Sequence, residues 1–78
     1  MERWQAERVK NLQEEIEQLE YDIDLVNDAE GYELDIFTGH GELSIYYLEE
    51  HENDKIRDIL LGAMNRQIIR LEKELGDI

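Results

Sequence analysis

Two histidine neighbourhoods, one arginine row and one carboxylate row are the places where this sequence could do chemistry. His40 stands two residues before Glu42 in Thr38-Gly39-His40-Gly41-Glu42, and as metal ligands the pair would need partners brought from elsewhere in the chain. His51-Glu52-Asn53-Asp54 sets an imidazole among carboxylates. It lacks a second His four residues on, which the zinc-binding helix pattern requires. It also lacks the alternating Asp/Asn spacing of a calcium loop. There is no Cys, which removes thiolate metal sites and disulfides together. Ser44 is the only serine and lies mid-strand in the alternation. No glycine-rich loop lies between a strand and a helix to cradle a phosphate. Carboxylates that work as acid and base need environments that separate their pKa values, and nearly every carboxylate here falls at a solvent-facing position of its pattern. The expectation is a protein that is not an enzyme, with no metal and no cofactor.

The remaining rows are electrostatic. Arg66, Arg70 and Lys73 follow i, i+4, i+7 spacing and could hold an anion, particularly where two copies meet; the alternative is a solvated face with an i,i+4 pair such as Arg70 with Glu74. Glu14, Glu17, Asp24 and Asp28 line one outer flank, with Glu15 and Asp22 close by. Side chains three or four apart on a helix are about 5–6 Å apart at Cβ, close to the repeat of phosphates along a nucleic-acid strand. An ordinary solvated face is the competing explanation, but such faces mix signs. Residues 11–54 hold fifteen acidic residues and no Lys or Arg, so they account for more than the whole net charge of -13. That charge disfavours direct contact with nucleic acid or an anionic membrane and favours a basic partner.

Three elements must position these groups. Residues 3–28 read as a helix in which Val9, Leu12, Ile16, Leu19, Ile23 and Val26 step by three and four, a heptad seam; Gly31 suits a left-handed cap at its end. Residues 32–48 read as a β-hairpin. Tyr32, Leu34 and Ile36 alternate with Glu33 and Asp35, and Leu43, Ile45 and Tyr47 alternate with Glu42, Ser44 and Tyr46. The turn is Thr38-Gly39-His40-Gly41, with two glycines available for positive φ. Tyr32 and Tyr47 are expected in the core, Phe37 and Tyr46 on the outward face, and a helix layer beneath the apolar side of the sheet. Residues 53–76 read as a second helix capped by Asn53, with a seam of Leu61, Met64, Ile68, Leu71 and Leu75. Antiparallel helices would bring Arg3, Arg8 and Lys10 near Glu72, Glu74 and Asp77, and the acidic end of the first helix near Lys55 and Arg57.

The fold expected is therefore α+β, one domain over residues 1–78: long helix, two-stranded antiparallel hairpin, long helix, assembled as a homo-oligomer through the two seams. A chain this short is marginal alone and is usually supported by association. No signal peptide and no membrane-length apolar run is read, so the expected setting is the cytoplasm. The function expected is binding: an inhibitor or adaptor docking Glu33, Asp35, Glu42, Glu49 and Glu50 on a basic protein surface, anchored by Phe37 and Tyr46. In size and composition the chain is similar to small inhibitor proteins of phages and mobile elements, which implies a nucleic-acid or immune enzyme as target. A second expectation is a homo-oligomer that sequesters a small anionic ligand, such as a nucleotide signal, through Arg66, Arg70 and Tyr46 or Trp4. A third is a coiled-coil assembly part without ligand.

Overall fold

The three-and-four stepping of the apolar residues winds both ends of the chain into helices, and the two stripes close on each other. The computed structural model describes residues 2–78, in the order α1 (Arg3–Asp28), β1 (Leu34–Thr38), β2 (Gly41–Ile45) and α2 (Glu50–Gly76). Arg8 near the start of α1 meets Glu74 near the end of α2 at 3.1 Å, while Arg57 in the early turns of α2 reaches the carbonyl of Ala29 just past α1. The helices are thus antiparallel, and the seams pack together within one chain. Leu12 and Leu71 are buried at its centre. Val9, Ile16, Leu19, Ile23 and Val26 of α1 and Leu61, Met64, Ile68 and Leu75 of α2 are only half-buried. Of the other expected cross-helix ion pairs, Arg3 and Lys10 turn instead to Glu7 and Glu14 one turn along α1, at 3.3 and 4.0 Å.

α1 ends at Asp28 as expected, but its cap and the start of α2 differ from the sequence expectation. α2 starts three residues early, because Glu49 rather than Asn53 takes the N-cap and its N–H donates to the Glu52 carboxylate at 3.0 Å. That is the return arm of a capping box, and Glu50 and Glu52 then sit in the first turn, where the helix dipole favours negative charge. Gly31 does not take the left-handed conformation; among the described residues only Gly41 has positive φ. Side-chain donors replace that cap: the Tyr32 hydroxyl donates to the Val26 carbonyl at 2.6 Å, beside a backbone bond from Ala29 N–H.

The hairpin pairs Leu34 with Ile45, Asp35 with Ser44, Ile36 with Leu43, Phe37 with Glu42 and Thr38 with Gly41. In its turn the Thr38 hydroxyl donates to the Gly41 carbonyl at 2.8 Å and accepts from His40 N–H at 3.1 Å. The positive φ falls at Gly41, at 134°, and not at Gly39. The expected helix layer under the sheet is absent among the described residues: neither strand packs on either helix. All strand residues but Ile45 are exposed. The helices turn their apolar seams to each other, and neither seam lies under the sheet.

With two buried side chains at the centre of the molecule, each carries a large share of the fold. Leu12→Ala or Leu71→Ala is expected to cost about 3 kcal/mol. Urea denaturation followed by far-ultraviolet circular dichroism reads it as a large fall in midpoint; Ile69→Ala, at an exposed position, is expected to shift the midpoint little.

Candidate interaction surface on the hairpin

The hairpin is tied to the helices through two side chains, Tyr32, whose hydroxyl donates to the Val26 carbonyl of α1, and Arg57 of α2. The half-buried Arg57 donates from Nε to the Tyr32 hydroxyl at 3.1 Å, from Nη2 to the Ala29 carbonyl at 2.9 Å and from Nη1 to Asp54 at 3.0 Å. Its guanidinium also lies 5.7 Å from the Tyr32 ring centroid, within cation–π range. The hydrogen bond to Tyr32 raises the Arg57 pKa above its ordinary value against the opposing effect of burial, and Asp54 adds to the rise. Tyr32 stands two residues before β1, so this clasp fixes where the hairpin leaves the helices. Sequence reasoning placed Arg57 near the end of α1 but missed this role. Its partners lie 25 and 28 residues away, and nothing in a linear pattern marks them.

Beyond the clasp the strands present two unlike faces. Leu34, Ile36, Leu43 and Ile45 form cross-strand pairs on one, a wholly aliphatic surface. Asp35, Phe37, Glu42 and Ser44 occupy the other, where the Ser44 hydroxyl donates to Asp35 at 2.8 Å. Phe37 is 75% and Tyr46 73% exposed, and Tyr46 meets the Tyr47 ring edge-on at 5.6 Å. Tyr32 is half-buried as expected. Tyr47 is not in a core: it is 73% exposed, because the layer that was to cover it is missing. Glu33 and Tyr46 lie just outside the paired strands, opposite one another if the register is continued.

The remaining expected contacts divide. Asp35, Glu42, Glu33 and the two aromatics stay together on or beside the hairpin, whereas Glu49 and Glu50 belong to the start of α2. His51 Nδ1 lies 3.5 Å from Glu49, and Glu49, His51 and Glu52 offer ligand atoms within 4.8 Å of one another. Glu52 is committed to the cap, which fits the helix-capping reading of this stretch. His40 stays in the exposed turn. Arg66 and Arg70 are exposed, and among the described residues neither pairs with a carboxylate; Arg70 reaches only Gln67 at 3.5 Å, and Glu74 goes to Arg8. Trp4 lies at the far end of the molecule, lining a cleft of about 550 Å³ with Arg8, Leu12 and Glu74, and neither Arg66 nor Arg70 lines that cleft. No helix of the described residues is long and apolar enough to cross a membrane. Comparison with protein families, with curated proteins and with solved structures finds no match to this chain.

Removing the clasp's hydroxyl isolates its role. Tyr32→Phe keeps the ring but leaves the Val26 carbonyl with only the 3.4 Å bond from Ala29 N–H and one Arg57 N–H without its acceptor, at a cost of about 1 kcal/mol. Hydrogen exchange is expected to speed up around residues 29–34 and the first turns of α2, with the Leu12–Leu71 level far less affected.

Proposed function

We propose that this protein is a non-enzymatic binding protein that works as a homo-oligomer and docks the acidic, aromatic face of its hairpin on a basic surface of a partner protein. The observation that carries this reading is the exposure of Phe37 and Tyr46 beside Asp35, Glu42 and Glu33 on an arm that packs on neither helix. Exposed aromatics with a charged rim are the usual composition of an interface anchor. The outer flank of α1 supports an extended footprint. Glu14, Glu17, Asp24 and Asp28 are all exposed there, and Tyr21 and Leu25, 60% and 53% exposed, stand among them. A flank of carboxylates broken by an aromatic and a leucine fits the basic, partly apolar cleft of a nucleic-acid or immune enzyme, whose substrate channel the protein would block.

Native mass spectrometry of the protein purified from its own cells, before and after raising salt, tests this. The expected result is a bound protein of basic charge that leaves at high salt, with affinity falling roughly tenfold or more as screening increases. The charge reversals Asp35→Lys and Glu42→Lys should abolish its capture and Arg66→Ala should not. Salt-independent binding counts against the proposal.

The unpaired state of Arg66 and Arg70 favours a second reading, in which they hold a small anionic ligand such as a nucleotide signal between subunits. In that case the purified oligomer carries a small extra mass. Arg66→Ala or Arg70→Ala removes it while the oligomer persists.

A further inference from the structure

We propose that the aliphatic face of the hairpin, centred on Leu34, Ile36, Leu43 and Ile45, stacks on the same face of a second copy of this chain, so that the acidic faces of the two hairpins point outward in opposite directions. The inference rests on the docking reading above and adds to it the surface that makes the oligomer and the number of docking faces it presents.

Area is the first argument. The chain exposes 6416 Å², whereas a compact monomer of 9.3 kDa exposes about 5,000 Å². The radius of gyration is 16.7 Å against roughly 11.5 Å for a compact domain of this length. The surplus of roughly 1,400 Å² is spread over the whole elongated chain; the aliphatic face, with Leu34 37%, Ile36 42% and Leu43 53% exposed, supplies part of the ~800 Å² per partner of a standard stable interface, and the neighbouring surface supplies the rest. The uncovered sheet face is its centre, because a two-stranded hairpin open to water on an aliphatic side is marginal by itself.

Charge identifies the occupant. With a net charge of -13, two copies repel at most of their surfaces. Within the paired strands every carboxylate, Asp35 and Glu42, lies on the other face. The Leu34/Ile36/Leu43/Ile45 face carries none, so it is the part of the hairpin that another copy can approach without like-charge cost. It is also self-complementary, as a two-fold contact requires. A basic partner gains nothing from this face, since it offers a cation no acceptor. The two faces thus divide the work: one for a second copy, one for a partner of opposite charge. The assembled head is bivalent.

The chain has no cysteine, so single-cysteine variants report the contact cleanly. Under mild oxidation Ile36→Cys is expected to form an inter-chain disulfide in high yield, and Phe37→Cys, on the opposite face, to form little. Sedimentation across a concentration series is expected to show a dimer for the wild-type chain. Ile36→Lys should weaken self-association about 100-fold or more by burying an unpaired charge, and Phe37→Ser should leave it unchanged. Should Ile36→Lys fail to fold, the disulfide comparison decides alone. A monomeric wild-type chain at all concentrations, equal cross-linking through both faces, or an Ile36→Lys variant as dimeric as the parent would overturn the stack; the last outcome would indicate pairing along the strand edges instead. The docking reading fails separately, if a dimer forms and Asp35→Lys changes no partner binding.

Discussion

The placement of the hairpin depends on the clasp between one guanidinium and one tyrosine hydroxyl, Arg57 and Tyr32, the latter also bonded to the Val26 carbonyl. Arg57 bonds at once to the last carbonyl of the α1 exit, the tyrosine that leads into β1 and an aspartate of its own helix. A planar fork of fixed donors suits three acceptors in different directions, where an ammonium would serve them poorly. Because no strand packs on a helix, the hairpin has little else to hold it. The clasp at Ala29 and Tyr32 is separated from β1 by Glu33 alone, and the turn at the far tip is held by its own Thr38 hydroxyl bonds.

This economy follows from length. Two antiparallel helices of 26 and 27 residues use their apolar stripes on each other. The stripes are narrow, so among the described residues only Leu12 and Leu71 are buried, each still 5% exposed. A bundle would cover the outer sides with further helices, and a larger α+β domain would lay a helix across the sheet. Here the two long helices and the hairpin take up residues 3–76, and the described residues form neither arrangement. The described residues therefore leave apolar surface exposed on two kinds of element, the condition under which small folds rely on association.

The same reasoning explains what could be read in advance. The seams and the strand alternation were legible because each is a local period, and local periods survive whatever else the chain does. The antiparallel helix pair and the Arg8–Glu74 contact followed from them. The cap of α2 was not legible. Glu49 and Glu52 stand among so many carboxylates that the capping spacing carried no signal, and Asn53 looked the better cap by residue type alone. The left-handed turn expected at Gly31 lost to the Tyr32 hydroxyl, a donor whose reach depends on the folded path. Burial of Tyr47 was inferred from the rule that an apolar face needs a cover. The rule concerns energy and does not say which chain supplies the cover. Of the candidate surface, Phe37 and Tyr46 were placed outward by alternation, and both are exposed in the structure.

An uncovered sheet is normally a hazard, since its edges and faces invite further strands without limit. The distribution of charge on this hairpin limits that growth. Stacking two aliphatic faces removes them from water and leaves Asp35 and Glu42 on both outer sides. A third hairpin arriving face-on would have to bring its own apolar side against carboxylates, or carboxylates against carboxylates, and both cost free energy. A sheet with acids on both sides would lack an apolar face to nucleate the pair; one with aliphatics on both sides would have nothing to end the stack. Face to face, the one-sided pattern would permit a single pairing and then stop it. The carboxylates that terminate growth are also those left facing a basic partner, so the solubility of the assembled head and its proposed binding surface arise from the same residues.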